Sequence, residues 1–311
     1  MARVAFIFPG QGSQAVGMGK PWVAAHEASR AIFAAADEAL GFSLSGLCFD
    51  GPEDQLQLTA NTQPAILTAS IAVHRMVAAS GLEPVVMAGH SLGEYSALVA
   101  AGVLDFSDAV RLVRRRGELM QQAVPVGEGA MAAVMGIDAE AVREVTEEAA
   151  QDEVCAVANL NSPVQTVIAG SAGAVARAIE LASAAGARRV IPLAVSAPFH
   201  SPLMAPAREG LMPYLEETPF GDSRVPVVSN IDAEPAATGS AARDALARQI
   251  DGPVRWVESV TWMVEQGGVE AFVEIGPGAV LTGLIRRIAR GVPAVSVSEP
   301  GDLEKLADLI G

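Results

Sequence analysis

Val85-Val86-Met87-Ala88-Gly89-His90-Ser91-Leu92-Gly93-Glu94 is where residue types and spacing point most directly to chemistry. Gly89-His90-Ser91-Leu92-Gly93 fits G-x-S-x-G, after an apolar run and before the helical run Leu92 to Ala100. That context predicts a strand, a sharp turn and a helix, with the serine hydroxyl held clear of the backbone. Glycines belong there because a side chain beside the turn would clash. The helix would aim its first amides and the positive end of its dipole at a group on the serine oxygen. Ser91 is the candidate nucleophile; the alternative is a plain strand–helix turn.

A serine nucleophile needs a base. The chain has four histidines. His26 and His74 read as helical, and His90 should point away from the hydroxyl of its neighbour. His200 stands in the loop Ser196-Ala197-Pro198-Phe199-His200-Ser201-Pro202. Ser201 and Pro202 read as the N-cap and first residue of a helix to about Glu217. A positive helix end would keep the imidazole neutral. By elimination, His200 is the expected base.

Arg116 is the third candidate. On a helix from about Asp108 to Ala123, with Ser107 as N-cap, the apolar stripe is Ala109, Leu112, Val113, Met120 and Ala123. Arg116 falls on that stripe, while Arg111, Arg114, Arg115 and Glu118 lie mainly on the other side. An inward guanidinium must be paired, because burying it alone costs several kcal/mol. Its partner is either an internal Asp or Glu or a carboxylate on a substrate.

Other elements must position these three. Val4 to Phe8 reads as a buried strand leading into Pro9-Gly10-Gln11-Gly12-Ser13-Gln14-Ala15. The loop loosely fits a dinucleotide fingerprint. A second strand ending in an acid should then follow about 20 residues on, and Trp22 through Leu40 is instead alanine-rich and helical. The loop reads better as exposed amides and Gln11 at a strand end, one wall of an oxyanion site. Residues 41–63 are turn-rich, and Pro64 opens a helix to about Ala79.

From Gly127 the pattern changes. Strands at Met131–Met135, Val154–Asn159, Gln165–Ala169 and Arg189–Val195 alternate with helices at Ala139–Ala150 and Ala172–Ala185. Asn161-Ser162-Pro163 forms a turn. The order βαββαβ is the ferredoxin-like split motif, so residues 125–197 are expected to form an inserted subdomain. Val225 to Ser229 is a further strand, Ala241 to Ile250 a helix with Gln249 near its end, and Ala271 to Ile275 the last clear core strand. Gly276-Pro277-Gly278 then leads into a helix through Arg290.

Bulk properties narrow the class. A chain of 311 residues suggests two domains or subdomains. Half the residues are hydrophobic, yet no apolar run reaches the roughly 18 residues of a membrane span. The N-terminal apolar run is too short for a secretory signal, so a cytoplasmic protein is expected. A net charge of −15 argues against nucleic acid. Cys48 and Cys155 form no C-x-x-C pair and read as buried thiols. No metal-ligand spacing occurs, so no metal is expected.

Taken together, Gly10-Gln11-Gly12-Ser13-Gln14, Gly89-His90-Ser91-Leu92-Gly93-Glu94, Arg115-Arg116-Gly117, Asn161-Ser162-Pro163, Ala197-Pro198-Phe199-His200-Ser201 and Gly276-Pro277-Gly278 resemble, in order and spacing, the malonyl-CoA:acyl carrier protein transacylases. The resemblance covers essentially the whole chain. It implies an α/β fold: an α/β-hydrolase-like large subdomain (1–124 and 198–311) with an inserted ferredoxin-like small subdomain (125–197). It implies Ser91 as nucleophile, His200 as base, the amides of Gln11 and Leu92 as oxyanion hole, and Arg116 gripping the malonyl carboxylate. Gln249 would orient the histidine through a backbone carbonyl, with His90, Phe199 and Asn161 supporting. Phe199 before the histidine resembles enzymes that prefer malonyl over methylmalonyl groups.

The implied reaction is ping-pong malonyl transfer from malonyl-CoA to the phosphopantetheine thiol of acyl carrier protein, for fatty acid or polyketide synthesis. It needs no cofactor, and a monomer is expected. Carrier proteins of this kind are usually acidic, as this chain is, so docking calls for a local basic patch. Arg111, Arg114 and Arg115, then Arg188 and Arg189, then Arg286, Arg287 and Arg290 are the candidates. The rivals are a serine hydrolase, which has no evident use for Arg116, and a scaffold that kept the fold without the chemistry.

Overall fold

The computed structural model describes residues 2–195 and 197–307; Ser196, at the head of the histidine loop, lies outside them. The described strands are β1 (Val4–Phe8), β2 (Pro84–Gly89), β3 (Gly129–Met135), β4 (Cys155–Ser162), β5 (Gln165–Ser171), β6 (Arg189–Pro192), β7 (Val227–Val228), β8 (Ala271–Ile275) and β9 (Ala294–Val297). They form two sheets in a mixed α/β fold. One has the order β7-β2-β1-β8-β9 and is parallel throughout. The other has the order β4-β5-β3-β6 and is antiparallel.

The sequence pattern explains the difference. β1 and β8 are buried at every position, as strands covered by helices on both faces must be. Phe6 and Phe8 face the larger core with the helix Thr59–Ala79, while Ala5 and Ile7 face a second core with the helix Trp256–Glu265. In β3, Ala132 and Val134 pack on the helices Ala139–Ala150 and Ala172–Ala184, whereas Met131 and Ala133 join the larger core. The period of two thus places Met131 toward the first sheet. The second sheet is tied to the loop before the helix Trp256–Glu265 where Val254 N donates to Ala158 O at 2.8 Å and Leu160 N to Val254 O at 2.9 Å.

Parallel strands all end on the same side. The loops after β1, β2, β7 and β8 carry Gln11, Ser91, Asn230 and Gly276-Pro277-Gly278. With β7, β2 and β1 adjacent, the first three loops lie side by side at the carboxyl edge, where open α/β sheets bind ligands.

Several expectations are corrected. The helix expected to open at Pro64 spans Thr59–Ala79, with Pro64 inside it. A proline withholds the donor for the carbonyl four residues back, and Arg114 Nη1 supplies one to Ala60 O at 3.1 Å. The N-cap of Phe106–Gln122 is Asp105, not Ser107: its carboxylate accepts from the amides of Ser107 and Asp108. Ser201 and Pro202 do hold the N-cap and first positions, but of a 3-10 turn (Pro202–Met204) that precedes the helix Ala205–Glu217; the Ser201 side chain makes no capping bond, and its hydroxyl donates to Pro198 O at 2.7 Å.

His26 is not helical but extended, at the break between the helices Lys20–Ala25 and Glu27–Leu40. Asn161 lies in β4 rather than in a turn. The strand expected over Val225–Ser229 shrinks to Val227–Val228, the one over Arg189–Val195 ends at Pro192, and the last clear core strand is followed by β9, a half-buried edge strand that the sequence reading did not include. Cys48 is buried, but Cys155 is only half-buried; both thiols are free.

Candidate active site

The elbow is a consequence of close packing. Ser91 has φ 52°, in the left-handed region that non-glycine residues seldom occupy. Gly93 lets the following helix start against β1, since a Cβ there would sit 2.0 Å from Phe8 O. His200 also has a positive φ, 59°. Two strained residues facing each other are a mark of a functional site.

They meet directly. Ser91 Oγ and His200 Nε2 are 2.7 Å apart. His200 Nδ1 donates to the backbone oxygen of Gln249 at 2.8 Å, which leaves Nε2 as the acceptor for the serine proton. Burial, and then the Arg116 charge, push the imidazole down to about 3, so it is neutral at pH 7. Neutrality was expected from a helix end; its cause is burial beside a cation.

Arg116 reaches the same point from the helix Phe106–Gln122, which approaches Thr59–Ala79 closely because Gly117 has no side chain; a Cβ there would lie 2.7 Å from Thr59 O. Arg116 is 2 % exposed. Nη1 donates to Gln63 Oε1 at 2.7 Å, and Nη2 donates to Gln249 Oε1 at 2.9 Å and Ser91 Oγ at 3.2 Å. The Tyr95 ring stacks beneath it, 5.4 Å from centroid to guanidinium carbon. Among the described residues no carboxylate forms an ion pair with it, so the internal Asp or Glu that the sequence allowed is not its direct partner. The nearest acid in this network, Glu94, is relayed through Gln249, whose Nε2 donates to Glu94 Oε2 at 2.7 Å. Burial pushes the Glu94 carboxyl up to about 7, against the donors of Asn230 and Gln249. Burial also pulls Arg116 down from its ordinary value, which is so far above neutrality that the guanidinium stays charged.

These groups border a cavity of about 130 Å³. Gln11, Leu92, Gln63 and His90 line one side, and Met131, Asn159, Leu193 and Val195, from the second sheet and the chain after it, line the other, with Phe199 beside His200. Among the described residues the amides of Gln11 and Leu92 have no hydrogen-bond partner, whereas the Ser91 amide is taken by Asn230 Oδ1 at 2.6 Å. His90 turns away from the serine hydroxyl and bonds Asn161 Oδ1 through Nε2 at 2.8 Å. All nine residues singled out in the sequence therefore gather at or immediately beside this cavity. Gln63, Glu94 and Asn230 were missed as members of the site. No local sequence signal marks Gln63 or Asn230, which stand among other polar residues in the chain.

Chemically, the arrangement offers a hydroxyl with a neutral base on its proton, two amides free to hold an oxyanion, and a desolvated cation with neutral partners. That combination fits acyl transfer from a substrate that carries a carboxylate.

The acyl transferase domain family matches residues 5–299. The chain is 49 % identical over 305 residues to the malonyl CoA-acyl carrier protein transacylase of Bacillus subtilis, covering 98 % of this chain and 96 % of that one. It is equally 49 % identical to the Escherichia coli K12 protein of the same name, over 99 % of this chain and all of the other. Among solved structures, an acyl carrier protein S-malonyltransferase from Vibrio cholerae superposes with a TM-score of 0.96 at 48 % identity, over 98 % of this chain and 100 % of that one. A malonyl-transacylase solved in complex with its type II PKS acyl-carrier protein superposes with a TM-score of 0.96 at 47 % identity, over 99 % and 100 %. With identity this high along both full lengths, the chain belongs to the malonyl CoA-acyl carrier protein transacylase family of acyl transferases.

Proposed function

We propose that the protein moves a malonyl group from malonyl-CoA to the phosphopantetheine thiol of acyl carrier protein, through an ester on Ser91. His200 Nε2 takes the hydroxyl proton as Ser91 Oγ attacks the thioester carbonyl. The amides of Gln11 and Leu92 hold the oxyanion. The tetrahedral adduct collapses, the C–S bond breaks, and the coenzyme A sulfur leaves with the proton from His200. The carrier thiol then attacks the malonyl ester, His200 takes the thiol proton, and Ser91 leaves and recovers a proton. No cofactor enters either half.

Arg116 carries this reading. Its guanidinium has only neutral direct partners and adjoins the nucleophile. A malonyl carboxylate completes its pairing, whereas an acetyl group leaves it without a counter-charge. Gln249 orients His200 through its backbone oxygen and Arg116 through its side chain. Phe199 shapes the wall next to the acyl group, and His90 with Asn161 fastens the elbow to β4.

We read residues 1–124 and 198–311 as an α/β-hydrolase-like catalytic subdomain and 125–197 as a ferredoxin-like one; the order β4-β5-β3-β6 supports the latter. The protein acts as a cytoplasmic monomer on carrier-borne and coenzyme A-borne thioesters. No helix among the described residues is long and apolar enough to cross a membrane. For carrier docking, Arg111, Arg114 and Arg115 are poor candidates, being paired with Asp108 and Glu118. Arg188, Arg189, Arg286, Arg287 and Arg290 form no ion pair among the described residues, and Arg287 bonds Gln165 Oε1 at the start of β5. Mixing enzyme, malonyl-CoA and holo-carrier protein and weighing the carrier tests the function. Malonyl-carrier protein is expected; malonate released into water with unmodified carrier would instead mean a hydrolase.

A further inference from the structure

Asn230 lies two residues beyond β7 and is fully buried. All its polar groups are engaged. Its side-chain oxygen accepts from Ser91 N at 2.6 Å, and its side-chain nitrogen donates to Gly89 O at 2.7 Å. Its backbone N donates to Glu94 Oε2 at 2.9 Å, and its backbone O accepts from Arg255 N at 2.9 Å. Gln249 Nε2 reaches Asn230 Oδ1 at 3.4 Å.

The side-chain pair of bonds is unusual in what it joins. Gly89 ends β2, and Ser91 is the strained residue two positions on. One amide therefore bridges the carbonyl entering the turn and the N–H leaving it. Among the described residues no other partner is seen for either group, so without the bridge both would be left unpaired, the Gly89 carbonyl in a buried setting. The bridge also consumes the Ser91 amide, leaving the uncommitted amides of Gln11 and Leu92 to face an oxyanion.

We infer that Asn230 is a positioning residue for the reaction: its side chain splints the elbow from the neighbouring strand and holds Ser91 Oγ in line with His200. Only a carboxamide serves here, because the bridge needs an acceptor toward Ser91 N and a donor toward Gly89 O. Glu94 fixes the splint in turn by accepting from the Asn230 backbone. The inference rests on Ser91 as the nucleophile.

The test is rapid-quench measurement of Ser91 malonylation in Asn230→Ala, with Asn230→Asp as the second variant. The aspartate keeps the size and the acceptor but loses the donor. Burst amplitude counts competent enzyme, and the burst rate reads alignment. Binding of malonyl-CoA is measured separately in Ser91→Ala with and without Asn230→Ala. The expected result is a burst rate lower by on the order of ten- to a hundredfold, the scale of a displaced reacting group. Malonyl-CoA affinity and the malonyl-to-acetyl rate ratio should be unchanged. An unchanged burst rate per competent site in either variant, with only a lower melting temperature, would overturn the inference. So would a change in affinity and acyl preference together, which would route the effect through Arg116. Absence of a burst in the unmodified enzyme would refute the Ser91 ester itself, a separate outcome.

Discussion

The Arg116 guanidinium donates to the Ser91 hydroxyl at 3.2 Å. The same oxygen faces His200 Nε2 at 2.7 Å. In the free enzyme the nucleophile thus donates a hydrogen bond to a neutral base and accepts one from a cation. The cation stores binding capacity that a carboxylate-bearing acyl group can use beside the reacting atom.

Arg116→Ala should therefore lower kcat/KM for malonyl transfer by about 3–5 kcal/mol in transition-state stabilisation, on the order of a hundred- to several thousandfold, the scale of breaking a buried charge pair. Acetyl transfer, measured with the same preparation, should fall far less. Equal losses for the two acyl groups would remove the carboxylate role.

Legibility in the sequence followed the range of each interaction. Ser91 and the helix stripe that turned Arg116 inward are local patterns; β1 is an unbroken apolar run and β8 one interrupted only by Glu274, and the bounds of both came out as read. His200 emerged because the other histidines had structural explanations, although the helix end invoked for its neutrality was not the cause. Asn230 and Gln63 were invisible as site residues for a physical reason. Asn230 reaches Ser91 only because β7 pairs with β2, and Gln63 reaches Arg116 only because two helices close on Gly117. The helix start was misread at Pro64 because its rescue comes from Arg114, on another helix.

The pH dependence follows from His200. With the imidazole held near 3 in the folded enzyme, it is already a free base across pH 5 to 8. Acylation measured as kcat/KM for malonyl-CoA should show no loss with a midpoint near 6.5, where an unperturbed histidine would titrate. A loss there would contradict the buried, cation-flanked setting.

For stability the sign is opposite for two groups. His200 and His74, the latter held near 4 by burial and then Arg75, resist protons that the unfolded chain accepts. Their contribution falls as pH drops below about 6.5. Glu94, raised to about 7, binds a proton more readily when folded, so its contribution falls as pH rises from about 4.5 toward 7. His200→Gln should flatten the acid slope of urea-unfolding free energy, and Glu94→Gln the neutral one. Slopes unchanged in both variants would show that neither group is perturbed as described.

Gly93→Ala should be among the most damaging single-methyl additions in the chain, because the new Cβ would meet Phe8 O at 2.0 Å. Forced separation of the helix from β1 should cost about 3 kcal/mol or more. The check is the urea midpoint, followed by the malonylation burst. Near-normal stability would mean the elbow tolerates a looser seat than its packing implies.

The central claim is a malonyl ester on Ser91 that waits for a thiol. Intact-protein mass after mixing with malonyl-CoA, then again after adding holo-carrier protein, addresses it in one experiment, with Ser91→Ala alongside. The expected result is a malonyl adduct on the unmodified enzyme that persists in water, disappears when carrier protein is added, and never forms on the variant. An adduct that forms equally on Ser91→Ala, or that decays in water at a rate indifferent to carrier protein, would contradict it.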